Sequence, residues 1–195
     1  MSREQIITQE ISLNEAWERV MGLVCEAAAG GSHPFRYVTL ATVDEEKSPQ
    51  QRMVVLRDFE DASIFTVYTD CRSDKTSQIA QNDSVSLLFY HGEKRLQLRV
   101  TGKAEIVNTG EEHARRWKND ASTTPEPYSS VVPPGEEIEH PEEAYEWDLE
   151  GAPNFCIIKI RAFHMEFLQL DGVKHIRGMK RNLSDGKKTV GWISP

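Results

Sequence analysis

The sequence is poor in cysteine. Cys25, Cys71 and Cys156 are odd in number and share no CxxC spacing, so neither a disulfide framework nor a zinc site is signalled. Free thiols in a cytoplasmic protein are the expectation. Long apolar runs are missing too: nothing approaches the roughly 18 residues of a membrane span, and "MSREQIITQEIS" lacks the apolar core of a signal peptide. No membrane partner is expected. Basic charge is scarce, with 23 Lys and Arg against 31 Asp and Glu, and a net charge of −8 argues against nucleic acid as a partner. The six histidines show neither HxxxH nor HExxH spacing, so no metal is expected. GxGxxG, GxxxxGK[ST] and GxSxG are absent, which removes the common nucleotide and hydrolase signatures.

What remains is a chain of 195 residues with an ordinary globular balance, 38% hydrophobic and 28% charged, enough for a single domain over 1–195. Leu13, Trp17, Val20, Met21 and Val24 recur at helical spacing behind Ser12 and Glu15, and Gly30-Gly31 marks a stop. From residue 35 the signals turn to β: "FRYVTLATV", the run ending at Arg57, "SIFTVYT", "SVSLLFYH" and "RLQLRVTGKAEIV" are rich in β-branched and aromatic residues, separated by turn chemistry. A short helix is expected between Thr69 and Ser84, and another over "TGEEHARRWKND". The stretch 121–150 holds nine acidic residues, five of the nine prolines and no Lys or Arg, and reads as an acidic, Pro-rich surface excursion. "NFCIIKIRAFHMEFLQL" and "KKTVGWIS" return to β and flank "DGVKHIRGMKRNLSDG", read as a basic segment with Gly-containing turns. Six or more mostly antiparallel strands with peripheral helices favour a β-barrel, because closure removes exposed edges.

The chemistry rests on cations beside strands. In Arg52-Met53-Val54-Val55-Leu56-Arg57 a period of two puts Arg52, Val54 and Leu56 on one face and Met53, Val55 and Arg57 on the other, so each face carries one cation that expects an anion or partner. Arg72, Ser73 and Lys75 stand at a helix start, where free N–H groups and the dipole already favour an anion; a phosphate is one reading, a solvated cap the other. Gln97, in mid-strand among alternating leucines, offers an acceptor and two donors suited to the imide edge of a planar ring, or to a cross-strand neighbour.

Taken in order, "LATVDEEKSPQQRMVVLR", "FTVYTDCRSDKTSQIAQNDSVSLLFY" and "RLQLRVTGKAE" resemble the core of pyridoxamine 5′-phosphate oxidase and its relatives, the FMN-binding split-barrel flavoproteins. The resemblance covers about residues 37–107 and returns at "MEFLQL". It implies a mainly β split barrel and a homodimer with FMN at the subunit interface. Residues 52–57 would line the cofactor, with Arg52 on its phosphate and the strand backbone facing the ring. Tyr68 and Thr69 would touch it, Ser73 and Lys75 would hold its phosphate, and Gln97 its ring. Asp74 stands where the family has a second basic residue, and Arg72 is the candidate replacement.

Departures from the family pattern concern the substrate. Arg57 replaces a lysine, Arg115 and Asn119 occupy the tyrosine and arginine positions of the following helix, and Leu168 replaces a flavin-contacting tryptophan. Arg57, Arg115, Arg177 and Arg181 are the candidates for a small-molecule substrate, and no side chain marks itself as the catalytic acid or base. The first reading is an FMN-dependent oxidoreductase of undefined substrate. The others are a genuine pyridoxamine or pyridoxine 5′-phosphate oxidase, and a non-catalytic module binding flavin or haem.

Overall fold

Ser12 ends the extended N-terminal segment by accepting the Glu15 N–H at 3.3 Å, and helix α1 (Leu13–Ala28) follows, burying Ala16, Trp17, Val20, Leu23, Val24 and Ala27 along one stripe. Gly30 and Gly31 then take left-handed φ of +108° and +79°, which turns the chain out of the helix. The computed structural model describes residues 5–150, 153–182 and 187–195.

Strands β1 (Tyr37–Val43), β2 (Pro49–Glu60), β3 (Ile64–Asp70), β4 (Ser84–His91), β5 (Leu96–Val107) and β6 (Phe155–Gln169) lie in the order β3-β2-β1-β4-β5-β6, all antiparallel, and β3 also pairs with β6. That last pairing closes a six-stranded barrel, as the sequence led us to expect. Period-two alternation fills its inside with Val38, Leu40, Val54, Leu56, Phe65, Val67, Leu87, Phe89, Leu98, Val100, Ile158 and Ile160, all buried. Helix α2 (Asp74–Gln81) joins β3 to β4 and α3 (Gly110–Asn119) follows β5.

Strands β7 (Ile176–Asn182) and β8 (Lys188–Ile193) extend the sheet beyond β6. β7 falls in the segment read as basic turns. Its arginines and lysine hide the alternation, and pairing with β6 on one side and β8 on the other makes it a strand.

The 121–150 excursion is hydrogen-bonded to itself and to the barrel. Val131 N–H donates to the Glu146 carbonyl at 2.8 Å, Asp148 N–H to Ser129 at 2.8 Å and Asn154 N–H to Tyr128 at 2.7 Å. Ala121 and Tyr128 pack with Phe155 and Ile157 in a second small core, against Trp117 and Tyr68. The expectation of free thiols fails for two cysteines: Cys71 and Cys156 form a disulfide with Cα atoms 5.2 Å apart. They meet because β3 pairs with β6 in a register that sets Thr69 opposite Cys156, a contact that spacing along the chain does not reveal. Cys25 is free and exposed. With that bond the thiol argument for a cytoplasmic location lapses. No helix among the described residues is long and apolar enough to cross a membrane.

Candidate functional site

β2 and β3 part company at one end of the barrel. They pair from Leu56 and Val67 towards Glu60 and Ile64, but not beyond; β2 from Pro49 to Val55 keeps only β1, while Tyr68 to Asp70 pair with β6. The edge of β2 at Arg52–Val55 therefore faces an opening rather than a strand. Arg52 shares the inward face of Val54 and Leu56, yet at the barrel's end it meets polar groups instead of core: its guanidinium donates to Thr42 Oγ1 at 2.5 Å and to Gln78 Oε1 at 3.0 Å.

Across the opening, Lys75 Nζ donates to Thr69 Oγ1 at 2.9 Å, and Thr69 Oγ1 lies 3.3 Å from Ser73 Oγ. Ser73 occupies the N-cap position of α2, but its hydroxyl donates to the Asp70 carbonyl at 2.8 Å instead of capping the helix. Thr42, Thr69 and Ser73 are buried. Arg52 and Lys75 form no ion pair with any carboxylate among the described residues. Burial and the nearby Arg52 charge hold the Lys75 ammonium below its ordinary pKa, with Asp70 and Asp74 opposing; burial likewise lowers Arg52, against Asp74. Two half-buried cations repelling each other, with three hydroxyls and a helix N-terminus alongside, form an electrostatic cradle for a dianion. A phosphate monoester carries close to two charges and fits it.

The other candidates separate into two groups. Arg72, considered as a phosphate ligand, is directed elsewhere: it clasps Asp70 at 2.7 Å and donates to the carbonyls of Ser130 at 2.7 Å and Val131 at 3.3 Å. It ties the acidic excursion to the start of α2. Arg57 stands at the irregularity between Leu56 and Asp58, exposed, with its guanidinium 5.5 Å from the Tyr68 ring centre. Tyr68 turns towards α3 and donates to Asp120 Oδ2 at 2.7 Å; burial first, and then that bond, raise its pKa. Arg115 is exposed, whereas its neighbour Arg116 is buried and paired with Asp58, Glu60 and Asp120. Adjacent helical residues point to different sides, so only one of the two arginines can face Asp58 and Glu60, and the packing of α3 against β2 selects Arg116.

Gln97 projects from the outer face of β5, between Tyr90 on β4 and Leu168 on β6, and its amide makes no hydrogen bond with the described residues. One step along the same face, Glu166 Oε2 accepts from Arg99 and from Arg177, each at 2.6 Å. Burial disfavours its charge, but the Arg177 hydrogen bond and the two guanidinium charges outweigh this and hold Glu166 below the usual carboxylate pKa. Arg181 pairs across the ladder with His164 beside this fork. Arg177 thus shares a face with Gln97, together with Arg99 and Glu166, which sequence reading missed, whereas Arg181, four residues further along β7, borders a separate concavity with Met165 and Lys180. Val54 and Leu56 are core, so at those positions only the backbone is available; Met53 is 60% exposed. Surface concavities of about 370, 340 and 270 Å³ lie elsewhere, lined by none of the cradle residues.

A closed barrel that splits between two strands, with an anion cradle at the split, is the FMN-binding split-barrel class of protein. Residues 14–108 match the family model for "Pyridoxamine 5′-phosphate oxidase, FMN-binding domain". Over these 95 of its 195 residues the chain is similar to the pyridoxamine 5′-phosphate oxidase-related FMN-binding family, whose model describes an FMN-binding domain. It is 32% identical over 121 residues to pyridoxine/pyridoxamine 5′-phosphate oxidase of Allorhizobium ampelinum, covering 58% of this chain and 55% of that one. It is 33% identical over 112 residues to the chloroplastic oxidase of Arabidopsis thaliana, covering 55% of this chain and 21% of that one. The chain thus spans about half or less of these oxidases. In fold it is similar to a pyridoxamine 5′-phosphate oxidase-related FMN-binding protein of Nostoc punctiforme, at TM-score 0.72 and 20% identity, with 92% and 97% of the two chains covered. PhzG of Burkholderia lata, in complex with tetrahydrophenazine-1-carboxylic acid, superposes at TM-score 0.73 and 16% identity, with 98% and 99% covered.

Proposed function

We propose that this chain binds FMN at the split and works as a homodimeric oxidoreductase on a small anionic substrate. The observation that carries the reading is the cradle: Arg52 and Lys75 face each other across the β2–β3 opening with hydroxyls and an amide as partners and no carboxylate. Arg52, Lys75, Thr69 and Ser73 would hold the phosphate, the open edge of β2 would lie along the ring, and the unengaged Gln97 amide would meet its polar edge. FMN supplies two-electron chemistry when bound, and the protein supplies orientation. The Arg99–Glu166–Arg177 fork fixes two guanidinium groups beside Gln97, and their charge exceeds that of the one carboxylate. That excess suits a phosphate or carboxylate on the substrate.

Dimerisation is supported by an apolar outer face. Tyr37, Met53, Leu88 and Tyr90 are 58%, 60%, 40% and 50% exposed on the adjoining strands β1, β2 and β4, where Thr39 stands between Met53 and Leu88. The altered substrate positions, Arg57 for a lysine and Arg115 and Asn119 for the tyrosine and arginine of the following helix, are why oxidation of a vitamin B6 phosphate is the second reading.

The test is a visible spectrum of the purified protein. Yellow protein, or uptake of FMN at micromolar concentration, is expected; colourless protein that takes up none refutes the proposal. Bleaching on anaerobic addition of pyridoxine 5′-phosphate would favour the second reading.

A further inference from the structure

Cys71 stands where three structures meet. Its carbonyl accepts the Thr76 hydroxyl at 2.6 Å within the first turn of α2, and its N–H donates to the Asn154 carbonyl at 2.7 Å just before β6. The next residue, Arg72, holds the 121–150 excursion through Ser130 and Val131. Two residues on is Ser73, four on is Lys75, both in the cradle. The Cys71–Cys156 bond is the covalent tie between this junction and β6.

We infer that Cys71 and Cys156 form a reversible thiol–disulfide site that sets how tightly the adjoining cradle holds its phosphate ligand; the inference rests on the FMN reading. Two features suit a switch. Cys156 is 1% exposed while Cys71 is partly exposed, so Cys71 is the residue of the pair that an incoming thiol would approach. The reduced state also has a partner waiting: Cys71 Sγ lies 3.1 Å from the Phe155 carbonyl oxygen, which can accept from a thiol S–H that the disulfide lacks.

The chemistry balances with a low-molecular-weight thiol as reductant. Its thiolate attacks Cys71 Sγ, the bond to Cys156 breaks, and Cys156 leaves as a thiolate that takes up a proton. A second thiol then displaces Cys71 from the mixed disulfide, and Cys71 is protonated. Two electrons and two protons reach the protein, and the reductant leaves as its own disulfide. A low-molecular-weight disulfide reverses the sequence. Once reduced, the Cys71–Lys75 segment keeps its hydrogen bonds and the Arg72–Asp70 ion pair but loses its covalent tie to β6, and Thr69, Ser73 and Lys75 lose part of their fixed geometry.

The experiment titrates FMN into the full chain by fluorescence quenching, before and after dithiothreitol, beside the double variant Cys71→Ser, Cys156→Ser. The expected result is a Kd at least fivefold weaker after reduction, with the variant weak and indifferent to dithiothreitol. Free thiols should rise from one, Cys25, to three on reduction and return to one with oxidised glutathione. Equal affinities in both states overturn the inference, as do three thiols that oxidised glutathione leaves unchanged. Should neither state bind FMN, the FMN reading fails separately and amide hydrogen exchange over 70–81 decides: faster exchange on reduction supports the switch, unchanged exchange overturns it.

Discussion

Replacing Lys75 with methionine should weaken FMN binding while leaving the unliganded fold as stable as before or slightly more so. The two effects have opposite signs because Lys75 is held half-buried beside Arg52, with a hydroxyl as its hydrogen-bond partner. Methionine keeps the apolar stem and removes the repulsion, and Thr69 still has Ser73 and the Asp70 carbonyl within reach. Against a phosphate the loss is a charge-assisted hydrogen bond, about 1.5–3 kcal/mol, which corresponds to a roughly 10- to 150-fold rise in Kd. Arg52→Ala should cost a similar amount, and because the two groups share one anion, the double variant should lose less than the sum. The assay is FMN fluorescence quenching at low and physiological salt, with thermal melts of apo and loaded protein. The melting gap between them should shrink in the variant as mass action requires. A Kd within twofold of the parent, or an apoprotein destabilised by more than about 2 kcal/mol, would mean that Lys75 is a structural residue and the cradle reading is wrong.

The same lysine predicts a pH dependence. Its pKa is depressed in the apoprotein, so the charged form costs stability below that value and the apo fold should gain stability as pH climbs from there towards the ordinary lysine pKa. Phosphate favours the protonated form, so FMN affinity should fall over the same alkaline range, a fall that Lys75→Arg should abolish in a titration series. Gly102→Ala should destabilise by about 1–3 kcal/mol in a denaturant melt, because the new Cβ would lie 2.7 Å from the Arg161 carbonyl oxygen at the irregular β5–β6 step. Arg116→Ala should cost roughly 1–3 kcal/mol by the same measurement, since it strands Asp58 and Asp120 without their cation, less than a fully buried pair because both acids are partly exposed. Reducing Cys71–Cys156, which spans 85 residues, should lower stability by about 2–4 kcal/mol; a melt unchanged by dithiothreitol would contradict the bond.

Local rules carried much of the fold into the sequence. Alternation in β2 placed Arg52 with Val54 and Leu56 and Arg57 with Met53, and both assignments appear in the burial of that strand. Ser12 and Gly30-Gly31 bounded α1 because caps and left-handed glycines act within one turn. Strand β7 escaped notice because its cations mask a period that only its two neighbours enforce. Arg72 illustrates the same limit at the site. Its charge and its place before α2 suggested a phosphate ligand, but Asp70 two residues back and two carbonyls some 60 residues away capture it first.

By itself, then, the sequence determined which residue types stood ready: alternating strands, two cations flanking a run of four apolar residues, a hydroxyl and a lysine at a helix start. These are properties of a few neighbouring residues, set by backbone periods of two and 3.6. Tertiary structure decided which of those cations remain without a counter-charge, that Arg116 rather than Arg115 is buried, that Glu166 grips two arginines, and that Cys71 bonds Cys156. The disulfide depends on closing β3 onto β6, and the grip of Glu166 on pairing β5 and β7 with β6, each in one register, and a shift of one residue there would turn every side chain to the opposite face.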